Sequence, residues 1–286
     1  MKGIVLAGGT GSRLWPITYG LSKQLLPIYD KPLIFYPIST LMLAGIREIL
    51  IITTADDQIL FKKLLGNGTN FGIKLIYKVQ ENPNGIAEAF IIGDEFIANQ
   101  DVALILGDNI FHGVGFGRQL QKISKVIGCQ IFASKVINPE RFGVIELDGE
   151  GNPLSIVEKP EFPKSHLAVT GLYFYDNQVT DIARSILPSS RGELEITDIN
   201  LEYLKLNKLK VNVMDRGTAW FDTGTIDALY AAGTFVKVVE EQEGMKIGCL
   251  EEIAWRNGWL SDSELSERAN IYGSSPYKEY LLSLLR

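Results

Sequence analysis

Along the first part of the chain, short continuous apolar runs take turns with segments whose apolar residues recur at helical spacing. The runs 4–6 (IVL), 48–54 (EILIITT) and 102–106 (VALIL) do not alternate with polar residues, as expected of strands buried on both faces. Positions 73–80 (IKLIYKVQ) do alternate and read as a further strand. Between these runs, the spacing predicts a helix over 32–44 ended by Gly45 and another over 57–65 ended by Gly66. A third helix is expected from an Asn84 cap through 97. The rhythm β-α-β-α-β-α-β requires parallel pairing with helices on both faces. The expected fold class is α/β, a Rossmann-like doubly wound sheet.

From residue 129 the pattern changes. A strand is expected over 130–137, a glycine-turned hairpin over 143–157 and a long strand over 167–175. Helices over 180–187 and from a Thr197 or Asp198 cap to about 206 follow, then short strands over 210–214 and 219–222. Thr225 is placed to cap a long helix to about 243. Beyond it lie a segment over 251–256, the capping box Ser261-Asp262-Ser263-Glu264 and a helix over 277–285. No repeat, low-complexity run or linker interrupts the chain. The expectation is one domain over 1–286 with a mixed sheet and three parts: 1–128, a β-rich insertion over 129–225, and a helical C-terminal region over 226–286.

In doubly wound sheets, ligands bind beyond the carboxyl ends of the strands. Three chemically distinctive segments fall there: 8–13, 80–85 and 107–109. The first, Gly8-Gly9-Thr10-Gly11-Ser12-Arg13, lets backbone N–H groups converge on an anion, and Arg13 adds a planar charged fork. Lys23 supplies a mobile point charge in the next loop. Together they describe a polyphosphate site. It is not a Walker A loop, which ends in Gly-Lys-Ser/Thr, nor the dinucleotide fingerprint, whose third glycine would fall at Leu14. A lone glycine loop is as often a tight turn. The second cationic loop, Ser22-Lys23-Gln24, favours the site.

The bulk composition changes this picture little. The 286 residues carry a net charge of −6, so no basic face suggests nucleic-acid or anionic-membrane partners. An acidic protein that binds anions must concentrate positive charge locally or recruit a cation. Cys129 and Cys249 show no metal-type pairing and are expected to be reduced thiols; with only His112 and His166, a histidine-built zinc site is not expected. About five apolar residues precede Gly8, too few for a signal-peptide core, and no run approaches a membrane span. A cytoplasmic protein is expected.

Residues 6–16 (LAGGTGSRLWP) and 22–32 (SKQLLPIYDKP) together resemble the signature of the sugar-nucleotide pyrophosphorylases, nucleotidyltransferases that act on sugar 1-phosphates. The resemblance continues in order through 106–109 (LGDN), 141–144 (RFGV), 157–160 (VEKP), 193–198 (ELEITD) and 220–224 (WFDTG), nearly the whole chain. It is strongest toward members that use dTTP and glucose 1-phosphate, which implies these small-molecule substrates and Mg²⁺.

Carried onto this chain, the resemblance implies catalytic roles for Arg13, Lys23 and Asp108, and metal ligation by Asp108 and Asp222. It implies nucleotide contacts by Leu6, Gly8, Gly9, Thr10, Gly11, Gln24, Gln80 and Gly85. Gln80 is expected to use its carbonyl and its amide on N3–H and O4 of thymine or uracil. Gly143, Glu158, Lys159, Val169, Tyr173 and Glu195 correspond to sugar-side positions, and Phe142 stands where relatives often carry tyrosine. Arg216, Glu252 and Arg256 resemble a second, regulatory nucleotide site, although surface ion pairs would equally explain them. Family members are typically homotetramers. His112 is expected in a loop. UTP in place of dTTP, or another sugar 1-phosphate, stays open, as does a catalytically silent sensor on the same fold. An NAD-type oxidoreductase is disfavoured by the broken fingerprint.

Overall fold

The computed structural model describes residues 1–9 and 11–286; Thr10 lies outside the described residues. Four parallel strands form the first half of the sheet: β1 (Lys2–Ala7), β2 (Glu48–Thr53), β3 (Lys74–Val79) and β4 (Val102–Leu106). They lie in the order β3-β2-β1-β4, with Val5 opposite Ile51 on one side and Ile105 on the other. The continuous apolar runs are explained by which faces they cover. Val5, Ile49, Ile51 and Ile105 pack into one core, and Ile4, Leu50, Ile52 and Leu104 into another on the opposite face. Each strand is buried twice, by period-2 alternation between two cores.

Helices α1 (Phe35–Leu43), α2 (Gln58–Leu65), α3 (Glu88–Ile92), α4 (Asp94–Ile97) and α5 (Phe116–Gln121) connect and flank these strands. Phe35, Phe61 and Leu120 bring α1, α2 and α5 to the first core, while Phe90 and Phe96 bring α3 and α4 to the second. The sheet is then extended by β5 (Cys129–Lys135), β6 (Gly143–Leu147), β7 (Pro153–Glu158), β8 (Leu167–Tyr175) and β9 (Leu209–Val213). β8 runs antiparallel to β4, with Leu172 opposite Ile105, and pairs with β5 and β6 as well. The result is the expected mixed sheet, nine-stranded among the described residues.

Two predicted helix starts are corrected. The helix expected from Asn84 to 97 begins only at Glu88 and is interrupted at Gly93. The Asn84 carbonyl accepts the Leu194 N–H at 2.6 Å and the Ala87 N–H donates to the Leu194 carbonyl at 3.1 Å, so 84–87 is held against a crossing segment. The Asn84 side chain donates to Glu88 instead of capping. In the insertion, α6 (Val179–Ser185) is followed by α7 (Ile196–Lys205), capped by neither Thr197 nor Asp198. Glu195 occupies the cap position, and the Thr197 hydroxyl is drawn away to the Glu158 carboxylate at 2.6 Å.

A two-stranded ribbon, Asn109–His112 with Ala219–Asp222, was only half expected, since NIFH has no alternation to mark it. His112 therefore lies in a strand rather than a loop. A second ribbon, Pro27–Ile28 with Lys31–Pro32, follows the Lys23 loop. The buried Lys31 ammonium fixes it to Glu240 of α8 (Ile226–Glu243) at 2.8 Å.

α8 starts at the expected Thr225, whose hydroxyl accepts the Ala228 N–H at 3.2 Å. It is followed by α9 (Leu250–Arg256), α10 (Asp262–Ile271), which carries the expected capping box, and α11 (Pro276–Ser283). No described helix is long and apolar enough to cross a membrane. Both cysteines are free and buried.

The C-terminal helices meet around Glu251, which is 1% exposed and accepts the hydroxyls of Tyr272 and Tyr277. Burial raises its carboxyl above the ordinary value of 4.5, although the tyrosine hydrogen bonds pull the other way. A raised folded-state pKa means that this group's contribution to stability is present below its unfolded pKa and is lost as pH rises through the folded one. Glu251→Gln removes that dependence. The difference in melting temperature between E251Q and the parent should therefore move in favour of E251Q from about pH 4 to about pH 8. A difference constant over that range would contradict the assignment.

Candidate active site

The glycine loop begins where β1 ends. Gly11 takes the left-handed φ of +58° that turns the chain, and the Thr18 hydroxyl fastens its carbonyl at 2.7 Å. The following turn, Ser12–Leu14, buries Leu14 and leaves Arg13 exposed. In the next turn, Lys23–Leu25, the Gln24 carbonyl accepts the Ile34 N–H at 2.8 Å and the Gln24 side-chain oxygen accepts the Ser22 hydroxyl at 2.7 Å. Lys23 is thereby aimed across the sheet edge, and its ammonium pairs with the Asp108 carboxylate.

A cavity of about 340 Å³ opens over this edge. Leu6, Gly8, Gly9, Gly11, Arg13, Lys23, Gln24, Gln80, Gly85 and Asp108 all line it, so every expected nucleotide-side residue except the undescribed Thr10 is brought together. Gly85 has φ +107°, and a Cβ there would stand 2.4 Å from the Leu194 carbonyl oxygen. Only glycine lets this wall close on residue 194. One expectation is corrected. Gln80 does not offer both amide atoms to a base, because its NH₂ donates to the Gly85 carbonyl at 3.1 Å and to the Glu88 carboxylate at 2.7 Å.

A second cavity of about 190 Å³ adjoins the first. Gly143, Glu158, Lys159, Val169, Tyr173 and Glu195, the expected sugar-side residues, line it together with Phe142. Its polar wall is a network. The Arg191 guanidinium reaches Glu195 at 2.8 Å and Glu158 at 3.6 Å, and Thr197 donates to Glu158. Burial opposes charge on Arg191, yet its bonds to Glu195 and the neighbouring carboxylates raise its pKa overall. Phe142 packs on Trp220, ring centroids 5.2 Å apart, and brings no hydroxyl to this wall.

Arg13, Asp108 and Glu193 line both cavities. At this junction Asp108, which follows β4, meets Asp222 on the ribbon. The Thr223 N–H and hydroxyl both donate to the Asp108 carbonyl, at 3.1 and 2.8 Å. The two carboxyls differ. Burial opposes ionisation of Asp108, but the Lys23 ammonium and the Asn109 amide outweigh it and hold its pKa below the ordinary value. Asp222 is raised by burial and by the charge of Asp108, which Lys23, Arg13 and Arg141 offset only in part. Among the described residues no cation lies within ion-pair distance of Asp222, and its carboxylate accepts the Gly224 N–H at 3.1 Å. A dication shared by the two carboxylates would relieve this imbalance. Among the described residues no cluster of three or more His, Cys, Asp or Glu side chains could hold a metal ion by itself. Two carboxylates completed by phosphate oxygens and water suit Mg²⁺.

Three residues of this site carry no family-derived role in the sequence reading. Arg191 stands alone in a Ser-Ser-Arg-Gly loop, four residues before Glu195, the only local hint of its partner. Arg141 and Trp220 sit inside quoted motifs, but nothing in their spacing points them at the cavity they line. Of the residues resembling a regulatory site, Glu252 and Arg256 form an ion pair at 2.7 Å on the wall of a third cavity of about 430 Å³. Arg216 is not among the residues lining that cavity.

The doubly wound sheet thus carries a glycine-loop cavity and a polar second cavity that share Arg13 and Asp108, an arrangement suited to moving a group between a nucleotide and a second polar ligand. The nucleotidyl transferase family model matches residues 2–238, and the chain belongs to that family. It is 55% identical to the glucose-1-phosphate thymidylyltransferase of Neisseria meningitidis over the full length of both chains. It is also 55% identical to the enzyme of that name from Mycolicibacterium smegmatis, over 100% of this chain and 99% of the relative. A candidate glucose-1-phosphate thymidylyltransferase from Bacillus anthracis, solved with sucrose, superposes with a TM-score of 0.76 at 41% identity, covering 82% of this chain and 94% of that one. A UDP-glucose pyrophosphorylase solved with UDP-glucose shares the fold, with a TM-score of 0.70 at 24% identity over 83% and 98% of the two chains.

The closed wall at Gly85 has a direct consequence. Gly85→Ala forces the Leu194 backbone away and strains the left-handed turn, which should cost about 1–3 kcal/mol in denaturant unfolding. An unchanged unfolding midpoint would show that the wall is not packed as described.

Proposed function

We propose that the protein transfers a thymidylyl group from dTTP to glucose 1-phosphate, giving dTDP-glucose and pyrophosphate. A sugar-phosphate oxygen attacks the α-phosphorus, and the bond from that phosphorus to the bridging β-phosphate oxygen breaks. Two anions must approach each other, so positioning and charge neutralisation carry the reaction, and little proton chemistry is needed. The observation that carries this reading is the junction: one cavity holds the expected nucleotide residues, the other the expected sugar residues, and Arg13 and Asp108 belong to both.

In this reading the backbone of the glycine loop cradles the triphosphate, and Arg13 stabilises charge on the departing pyrophosphate. Lys23 turns from Asp108 toward the α-phosphate. Lys159 neutralises the sugar phosphate, and the Arg191-ordered pair Glu158 and Glu195 accepts hydrogen bonds from hydroxyls of the glucose ring. Mg²⁺ held by Asp108 and Asp222 would supply further charge neutralisation and a template for phosphate oxygens. Thymine and uracil differ by one methyl group. The preference for dTTP rests on the named relatives.

The test is pyrophosphate release with glucose 1-phosphate, Mg²⁺ and each of dTTP, UTP, ATP, CTP and GTP in turn. Fast release with dTTP is expected. Release with UTP alone would move the donor assignment, and a folded protein that releases none with any sugar 1-phosphate would contradict the reading. Asp222→Asn should lower turnover with dTTP by roughly 10²–10³-fold. Near-normal turnover in that variant would remove Asp222 from the metal site.

A further inference from the structure

The Gln80 amide is oriented by groups behind it. Its NH₂ has two partners, the Gly85 carbonyl at 3.1 Å and the Glu88 carboxylate at 2.7 Å. Both are acceptors only, so neither tolerates the amide the other way round. Turning it would replace two hydrogen bonds, one of them charge-assisted, by two oxygen–oxygen contacts. Glu88 is itself held: its other carboxylate oxygen accepts the Asn84 amide at 2.8 Å. The Gln80 carbonyl oxygen is left facing Gly8, 3.0 Å from where a Cβ on that residue would stand, and Gln80 lines the cavity. Among the described residues no donor reaches that oxygen.

We infer that Glu88 is a positioning residue that locks Gln80 as an acceptor, and that this lock selects bases with a ring N–H and rejects cytosine. The inference rests on the nucleotide reading of the first cavity. Thymine and uracil carry a proton on N3, which the fixed oxygen accepts. Cytosine carries a bare lone pair there and would set acceptor against acceptor. A site built to hydrogen-bond an N–H discriminates strongly against an analogue that lacks it. Apolar contacts such as Leu6 discriminate far less. The lock also assigns the O4 contact of the base to some group other than Gln80, because both protons of its amide are already engaged.

Glu88→Gln keeps the shape but not the lock, since a glutamine at 88 offers either an oxygen or an NH₂ and both amides can turn. The test is calorimetric binding of dTTP, dUTP and dCTP without sugar phosphate, so that no turnover occurs. The parent protein, E88Q, Q80A and the double variant E88Q/Q80A are compared. The parent should prefer dTTP and dUTP over dCTP, and E88Q should lower that preference roughly 10- to 100-fold. In the Q80A background, E88Q should change the preference by less than about twofold, because its effect passes through Gln80. An unchanged preference in E88Q, or an equal change with and without Gln80, overturns the inference. Transfer from dTTP with that result leaves the proposed function standing. A preference that depends on Glu88 in a protein that transfers nothing would do the reverse. No preference in the parent protein removes the inference whatever the activity.

Discussion

The Lys23 ammonium and the Asp108 carboxylate meet from positions 85 residues apart, at a sheet edge that also carries Asp222. Placing two half-buried carboxyls side by side is unfavourable unless positive charge is held against them. That requirement organises the local structure. β1 and β4 must be neighbours, so that the glycine loop leaves one strand beside Gly107-Asp108 leaving the other. The ribbon must then return Asp222 over the same edge. Buried Asn109 ties these pieces together: its amide oxygen accepts the Trp220 indole N–H at 2.6 Å and the Gly171 N–H at 3.1 Å, while its NH₂ donates to Asp108 at 2.9 Å. One side chain thus joins the ribbon, β8 and the junction carboxylate.

The same logic explains how a chain of net charge −6 can present an anion site. Arg13, Lys23, Arg141, Lys159 and Arg191 converge on the two joined cavities, although the surface as a whole is acidic. The carboxylates that share the space are individually constrained. Glu158 and Glu195 are held by Arg191, and Glu88 is held by two amides. The acidic groups shape the pockets, while Arg13 and Lys23 stand at Asp108 where the cavities meet. Strong local fields of this kind need no favourable overall charge.

Much of this was legible in the sequence, for identifiable reasons. Continuous apolar runs marked the doubly buried strands, and the β-α rhythm then fixed which ends of them would gather ligands. The caps at Thr225 and Ser261 were readable because short polar side chains there have local partners. What stayed hidden depended on partners distant in the chain. The helix start expected at Asn84 failed because residues 84–87 are bound to Leu194, and the cap expected at Thr197 failed because its hydroxyl serves Glu158. Arg191 and Glu88 emerge only when tertiary structure shows which groups they orient. The orientation of Gln80 was likewise beyond sequence, since an isolated amide offers both of its atoms.

The central claim is that the two cavities are one site joined at Arg13 and Asp108. The most direct measurement is equilibrium binding of intact dTDP-glucose set against dTDP and glucose 1-phosphate bound separately. If the cavities are joined, the linked ligand gains from both, and its affinity should exceed that of dTDP alone by about 10²-fold or more. An affinity no greater than that of dTDP would mean that the second cavity does not receive the sugar, and would contradict the account.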